Sequence, residues 1–341
     1  MTLAVLGDPQ AVAAAGYAAA RTSERVLLGP SAGPLLSYER TTGLYDGPVE
    51  VRGDRDPEAD AYLLVCTSQA LPSVVERYRE QLAGRALLLA PGGFGGAVRV
   101  RRLFEAWGLE APLIGETTGF PVMGAAEDET IKITSLKRQL PLAGPDDAAT
   151  ATLLEIFGRY FDLFVASNLA TTSLSNTNHM LHPAITLTNA ARIARGDAFT
   201  FYREGITPEL NGLIGALDAE RLAVVRALGG EELGVTEWML RFYGGDGMQG
   251  STIIDCLAGF APFARSKAPT TLDHRYLTDD VPYGAAAHLA VAEALGLEAP
   301  VNRAVVTTAG LLLGRDLSTP AEVVDDFLTA ARHHNSVQLA R

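Results

Sequence analysis

Thr2-Leu3-Ala4-Val5-Leu6-Gly7-Asp8-Pro9-Gln10-Ala11-Val12 opens the chain, and its reading decides the fold. Thr2–Leu6 is a short apolar run that stops at a glycine, and an alanine-rich helical stretch, Val12–Ala20, follows it. Short buried runs that alternate with helices and are bounded by Gly or Pro predict βαβ units on a parallel sheet. The pattern recurs outward. Arg25–Leu28, Ala61–Cys66, Ala86–Leu89 and Leu113–Ile114 read as strands, with helices at Pro72–Leu82 and Val98–Trp107 between them. Thr130–Leu136 and Gln139–Leu142 read as further strands of antiparallel type, before a helix at Asp146–Tyr160. From Asn168 onward helical patterns dominate: Pro183–Arg195, Pro208–Leu228, Val235–Tyr243, Tyr283–Leu295, Val301–Leu313 and Pro320–His333. The expectation is an α/β N-terminal domain of Rossmann type, doubly wound, over residues 1–168, and a mostly α-helical domain over residues 169–341.

Composition removes several classes of function. The 341 residues carry a net charge of −12 with no basic run, which argues against nucleic-acid backbones and anionic membranes as partners. No apolar stretch reaches the ~18–20 residues that a bilayer-spanning helix needs, and no charged segment precedes an apolar run at the N-terminus. Cys66 and Cys256 are too few for a metal or disulfide framework and suit a reducing compartment. A soluble, cytoplasmic protein without a metal is expected, and the sequence leaves room for a homodimer.

A parallel sheet of this kind binds ligands beyond the carboxyl ends of its strands. A dinucleotide site places G-x-G-x-x-G there, so that pyrophosphate approaches helix N–H groups. Here only Gly7 stands. Pro9 replaces the second glycine and removes a donor, and Asp8 puts negative charge where phosphate would lie. Pro9 is compatible with the first turn of a helix. The second strand ends Leu28-Gly29-Pro30-Ser31, without the acid that holds a ribose. Two readings stay open: a nicotinamide site lined by Gly7, Asp8, Gln10, Thr67, Gly92 and Gly93, or a Rossmann-type scaffold whose pocket has closed and holds neither NAD nor NADP.

Polar residues cluster at three places in the helical half. Asn176-Thr177-Asn178-His179-Met180-Leu181-His182-Pro183 sets His182 at the expected start of a helix, where a neutral imidazole can act as acid or base, or simply bond the backbone. His179 reads as structural or substrate-lining. Phe201–Glu209 runs into Asp218-Ala219-Glu220-Arg221-Leu222; Thr207-Pro208 reads as an N-cap with proline at the first helical position. Asp218, Glu220 and Arg221 read as a solvated face or local ion pairs, so this segment is assigned to architecture. Asp273–Gly284 carries Arg275, suited to a carboxylate, and Asp280, which could fix a histidine tautomer.

These segments resemble the octopine/nopaline (opine) dehydrogenase family. The resemblance rests on N-T-N-H-M-L-H-P at Asn176–Pro183, Y-R-E-G-I-T-P at Tyr202–Pro208, D-x-E-R-L at Asp218–Leu222 and H-R-Y-L-T-D-D-V-P-Y-G at His274–Gly284, with P-G-G-F-G-G at Pro91–Gly96 and G-E-T at Gly115–Thr117 as weaker matches. It implies NAD(P)H-dependent joining of an amino acid or amine to a 2-oxo acid such as pyruvate, by reduction of an imine. It implies His182 as the acid–base residue, Asp280 as its support and Arg275 as holder of a substrate carboxylate. Asn178, Glu116 and Thr117 are implied to bind substrate, the last two facing the cleft. The departure from the family lies in the phosphate turn. It keeps open a second reading: a non-redox condensation, cyclisation or elimination of specialised metabolism that uses His182 and Asp280 without a nicotinamide. Beside Asp280, the His182 pKa is expected above its ordinary value unless burial offsets the gain.

Overall fold

The computed structural model describes residues 1–7, 10–30 and 36–339. It divides into two compact units, Met1–Ser173 with the chain from His333, and Leu174–Arg332. The boundary read from the sequence, 168/169, lies five residues before that division at 173/174.

The first unit is built on one eleven-stranded sheet, in the order β11-β10-β7-β6-β5-β1-β2-β4-β3-β9-β8. Its centre is parallel: β1 (Thr2–Gly7) lies between β2 (Arg25–Pro30) and β5 (Ala61–Val65), and β6 (Ala86–Leu89) and β7 (Leu113–Thr117) continue from β5. Leu3, Ala4, Val5 and Leu6 are fully buried, as are Leu87 and Leu88, which is why these strands read as unbroken apolar runs. On one flank, β10 (Leu140–Ala143) runs antiparallel to β7 and parallel to β11 (Leu163–Val165). On the other, β4 (Gly47–Gly53) is parallel to β2 and antiparallel to β3 (Tyr38–Gly43). Beyond β3 lie β9 (Thr130–Leu136) and β8 (Val122–Glu127), an antiparallel pair. The strands β3, β4, β8 and β11 are additions to the sequence reading. β3 and β4 show mixed burial along their length and carry Glu39, Arg40, Glu50 and Arg52, so no apolar run marks them.

The helix Gln10–Arg21 covers Ala11–Ala20 as expected and buries Ala11, Val12, Ala13, Ala14, Ala15 and Ala18. Asp8 and Pro9, on which the phosphate-turn argument rested, lie outside the described residues, as does Ser31. Pro72–Leu82 is two helices, Leu71–Arg77 and Arg79–Leu82, meeting at Tyr78.

The second unit is helical. Its longest helix within the unit, Leu210–Ala227, buries Leu210, Ile214, Leu217, Val224 and Val225. The expected cap at Thr207 is displaced: Leu210, Asn211 and Gly212 donate to carbonyls three residues back, so the entry is a tight turn and the helix starts at Leu210. Of the two readings of Asp218, Glu220 and Arg221, the local ion pair holds for Asp218 and Arg221, and the solvated face does not, since both are buried. Arg221 is fully buried; its Nε and Nη2 bond Asp218 Oδ1 at 2.9 and 2.7 Å, Nη1 donates to Ser175 Oγ and Nη2 also to the Leu233 carbonyl. Glu220 accepts from the N–H groups of Val301 and Asn302, capping the helix Pro300–Leu313. One turn of helix thus holds three other segments by charge-assisted bonds. No helix among the described residues is long and apolar enough to cross a membrane.

Candidate functional site

The helix bearing His182 runs from Asn178 to Thr188, so His182 lies inside it and not at its start. Asn176 moves the beginning upstream: its carbonyl accepts from the His179 N–H and its side-chain oxygen from the Asn178 N–H. Pro183 then falls within the helix, where it lacks the N–H that would bond the His179 carbonyl. Asp280 is delivered by a short helical turn, Arg275–Thr278, capped by His274, whose Nδ1 accepts from the Tyr276 N–H at 3.3 Å. A five-residue wide turn, Val281–Ala285, follows, where a plain helix start at Pro282 was expected. It packs tightly because Gly284 has no side chain: a Cβ there would sit 2.3 Å from His179 Cγ.

These two elements bring His182 and Asp280, 98 residues apart in sequence, to 2.7 Å, Nδ1 to Oδ2. Both are 2% exposed. His179 Nε2 lies 4.0 Å from the other carboxylate oxygen, Oδ1, and His179 Nδ1 has no partner. Burial and charge compete at each group. Desolvation pushes His182 below its ordinary value despite the charge and hydrogen bond of Asp280, so the offset allowed for in the sequence reading is the outcome. Burial pushes Asp280 up, yet His182, His179 and Arg275 together outweigh it and hold the carboxyl low. Desolvation takes His179 down to about 4. The resting pair is therefore a carboxylate and a neutral imidazole whose Nδ1 carries the proton, leaving Nε2 as an acceptor.

Tyr276 stacks on the His182 ring at 3.9 Å between centroids and 27° between planes. The half-buried Arg275 guanidinium lies over the Tyr276 ring, 5.1 Å from its centroid, and has no carboxylate partner among the described ion pairs. One contact has no counterpart in the sequence reading: Tyr202 Oη lies 2.7 Å from His182 Nε2. The sequence reading assigned Phe201–Glu209 to architecture although Tyr202 opens a resemblance motif, because the pairing with His182 is made by tertiary structure.

Apart from Asp8, which lies outside the described residues, the residues expected in the first unit lie at the carboxyl end of its sheet. Gly7 closes β1 at φ +122°, and a Cβ there would sit 1.9 Å from the Val65 carbonyl oxygen, so only glycine lets β1 and β5 end this close. Gln10 begins its helix with Oε1 buried and unpartnered, and no acid stands in that helix's first turn. Thr67 Oγ1 accepts from the Ala70 N–H; Gly92 and Gly93 are buried in the loop after β6. Glu116 and Thr117, expected to face a cleft, are fully buried and bonded inside this unit. Glu116 accepts from Ala97 N–H and Thr172 Oγ1 at 3.1 and 3.0 Å and from Ser173 Oγ, and desolvation raises it to about 7. Thr117 Oγ1 donates to the Gly119 carbonyl. Asn178 is half-buried at its helix's first position. No group of three or more metal-ligating side chains occurs among the described residues.

Comparison with known proteins adds an independent line. A family described as NAD/NADP octopine/nopaline dehydrogenase, alpha-helical domain, matches residues 165–313. The opine dehydrogenase of Arthrobacter sp. (strain 1C) is 28% identical over 288 residues, 82% of this chain and 79% of that protein. Vitopine synthase of Allorhizobium ampelinum is 35% identical over 146 residues, 42% of this chain and 39% of that one. Among solved structures, octopine dehydrogenase with NADH and agmatine superposes with a TM-score of 0.71 at 17% identity, covering 97% of this chain and 95% of that one. An NADP+-bound yersinopine dehydrogenase gives 0.70 at 16%, covering 97% and 98%.

Proposed function

The chain belongs to the octopine/nopaline (opine) dehydrogenase family, and from that premise we propose that it joins the amine of an amino acid or related compound to a 2-oxo acid and reduces the resulting imine with NADH or NADPH. It is an opine-dehydrogenase-like oxidoreductase acting on CH–NH. The observation that carries this reading is the buried His182–Asp280 pair, assembled from the two motifs whose residues the family resemblance singles out. The non-redox alternative is not favoured. A match of 288 residues to an opine dehydrogenase cannot be accommodated by the helical unit alone, so likeness extends into the nucleotide-binding fold.

The described residues at the end of β1 fit a nicotinamide dinucleotide. Gly7 supplies the close turn, the helix Gln10–Arg21 has no acid in its first turn, and the orphan Gln10 Oε1 can accept from a hydroxyl. Asp8 and Pro9, which the sequence sets against a phosphate, lie outside the described residues. When bound, the cofactor supplies the hydride that reduces the imine carbon. The remaining chemistry belongs to the chain. His182, neutral and held in one tautomer by Asp280, takes a proton from the ammonium so that the amine can attack the keto carbon, then returns it as the carbinolamine hydroxyl leaves as water. Arg275 grips a substrate carboxylate with its planar fork. We further place the protein in the cytoplasm, in keeping with two cysteines not joined in a disulfide, and propose residues 1–168 as nucleotide-binding and 169–341 as substrate-binding and catalytic.

Offering pyruvate or another 2-oxo acid with a panel of amines should produce amine-dependent consumption of NADH or NADPH. Arg275→Lys should raise KM for the oxo acid more than it lowers kcat, because charge survives while the bidentate geometry is lost. Failure of both cofactors to bind in a nicotinamide-fluorescence titration would remove the proposal, and undiminished carboxylate binding by Arg275→Ala would remove the role given to Arg275.

A further inference from the structure

Both ring nitrogens of His182 are occupied: Nδ1 by Asp280 and Nε2 by the Tyr202 hydroxyl, each at 2.7 Å. Donor and acceptor roles follow from charge. A carboxylate can only accept, so the proton is on Nδ1; Nε2 is then a lone pair, and the phenol must donate to it. The imidazole is 2% exposed, so while this bond stands nothing reaches Nε2 except through the phenol oxygen. That oxygen, having spent its proton on Nε2, still has lone pairs with which to accept.

Resting on the function proposed above, we infer that Tyr202 is the third member of the proton-transfer unit, its hydroxyl lying in the path between His182 Nε2 and the reacting nitrogen of the amine. As that nitrogen gives up its proton to Tyr202 Oη, the proton already on Oη passes to Nε2, leaving an imidazolium beside the Asp280 carboxylate. The reverse double transfer delivers a proton to the departing hydroxyl, and water leaves. Atoms and charges balance with no phenolate intermediate. Burial among apolar rings supports the concerted form, since it raises the Tyr202 hydroxyl well above its ordinary value and disfavours a free phenolate.

A tyrosine that merely shielded the histidine would have to swing aside, and the surroundings oppose that. The Tyr202 ring stacks on Phe263 with centroids 4.8 Å apart and meets Phe201 edge-on at 5.0 Å. The backbone leading into it is pinned. Phe201 N–H donates to the Ser266 carbonyl at 2.7 Å, Ala268 N–H to that of Phe199, and Thr200 pairs with Lys267 as a two-stranded bridge. A phenol held this firmly suits a fixed link more than a gate.

The test is Tyr202→Phe, which keeps the ring and its stacking. Turnover should fall about 10²-fold or more, the loss typical of a displaced acid–base group. The proton inventory of kcat in mixed light and heavy water should change from a curved plot, two protons in flight, to a straight one. A third readout needs no reaction: His182 followed by ring 15N and 1H resonances in substrate-free enzyme. A donor on Nε2 favours the neutral ring, so its removal should raise the imidazole pKa. The other titratable or charged groups around the ring are Asp280 and His179, Arg275, Tyr276 and His274 of the neighbouring turn, and Arg221 of the helix Leu210–Ala227. All remain in Tyr202→Phe. Unchanged kcat, or kcat/KM that rises, overturns the inference, because a structural ring or a gate would give those results. Should the wild type condense no amine with any oxo acid, the proposed function fails first. An imidazole pKa that does not move in Tyr202→Phe still independently overturns the place of the phenol on Nε2.

Discussion

His182→Ala is expected to lower turnover about 10²–10⁴-fold while far-ultraviolet circular dichroism stays close to wild type, although Tm falls because the buried Asp280 carboxylate loses its partner. The imidazole is the group whose neutral form takes the proton, and it lies between Asp280 and Tyr202, bonded to both. Asp280→Asn should do most of the same damage by a different route. An amide can donate to Nδ1, which drives the ring proton to Nε2 and reverses the polarity of the bond to Tyr202. Removing the carboxylate also removes the charge that raises the histidine pKa, so the acid limb of kcat/KM, already below ~6.5, should move lower still. The double variant should be scarcely worse than either single one, since members of one catalytic unit are not additive. Steady-state rates that multiply across the two substitutions would show the residues acting separately, and the pair would have to be abandoned.

Asp218→Ala carries the largest expected loss of stability. It strips two bonds from Arg221, which is fully buried, and a third from the Val235 N–H, leaving a desolvated guanidinium with only Ser175 Oγ and the Leu233 carbonyl. Breaking one side of a buried pair typically costs ~3–5 kcal/mol. For a unit of this size that is roughly 10 °C in Tm. Removing both charges, as Asp218→Leu with Arg221→Met, should be milder than Asp218→Ala alone, because no unpaired charge remains. Calorimetry on the three proteins checks the order. A fall of under ~1 kcal/mol for Asp218→Ala would mean that water or a neighbour rescues the arginine, contrary to its burial.

What the sequence disclosed and what it hid follow from how each signal is made. The central strands were legible because both faces are covered, so Leu3–Leu6 and Leu87–Leu89 had to be apolar. β3 and β4 were not, since their faces alternate between core and solvent without regularity. Residue chemistry singled out His182, Asp280 and Arg275 and the family resemblance gave them their roles; spacing gave no distance between them. The His182 pKa needed structure, because whether burial or Asp280 prevails depends on solvent access that no motif encodes. Arg221 looked like a surface charge since Asp218 is a plausible solvated partner three residues away, and its neighbours Ser175 and Leu233 come from remote segments. Tyr202 opens one of the motifs of the family resemblance, but its segment was read as architecture, and only the tertiary structure brings its hydroxyl to His182.

Glu116 makes the stability of the first unit depend on proton uptake. In the unfolded chain its carboxyl titrates near 4.5, whereas in the folded unit desolvation places it at about 7. Between those values the native state binds the extra proton, so stability is highest at the acid end of the window and declines as pH rises through it, levelling off above about 7. The same carboxyl clamps the helix Leu169–Ser173, through Thr172 and Ser173, to the start of the helix Gly96–Trp107. Folding of the first unit and the acidity of its surroundings are thereby thermodynamically linked, through a residue that lies in a different unit from His182 and Asp280.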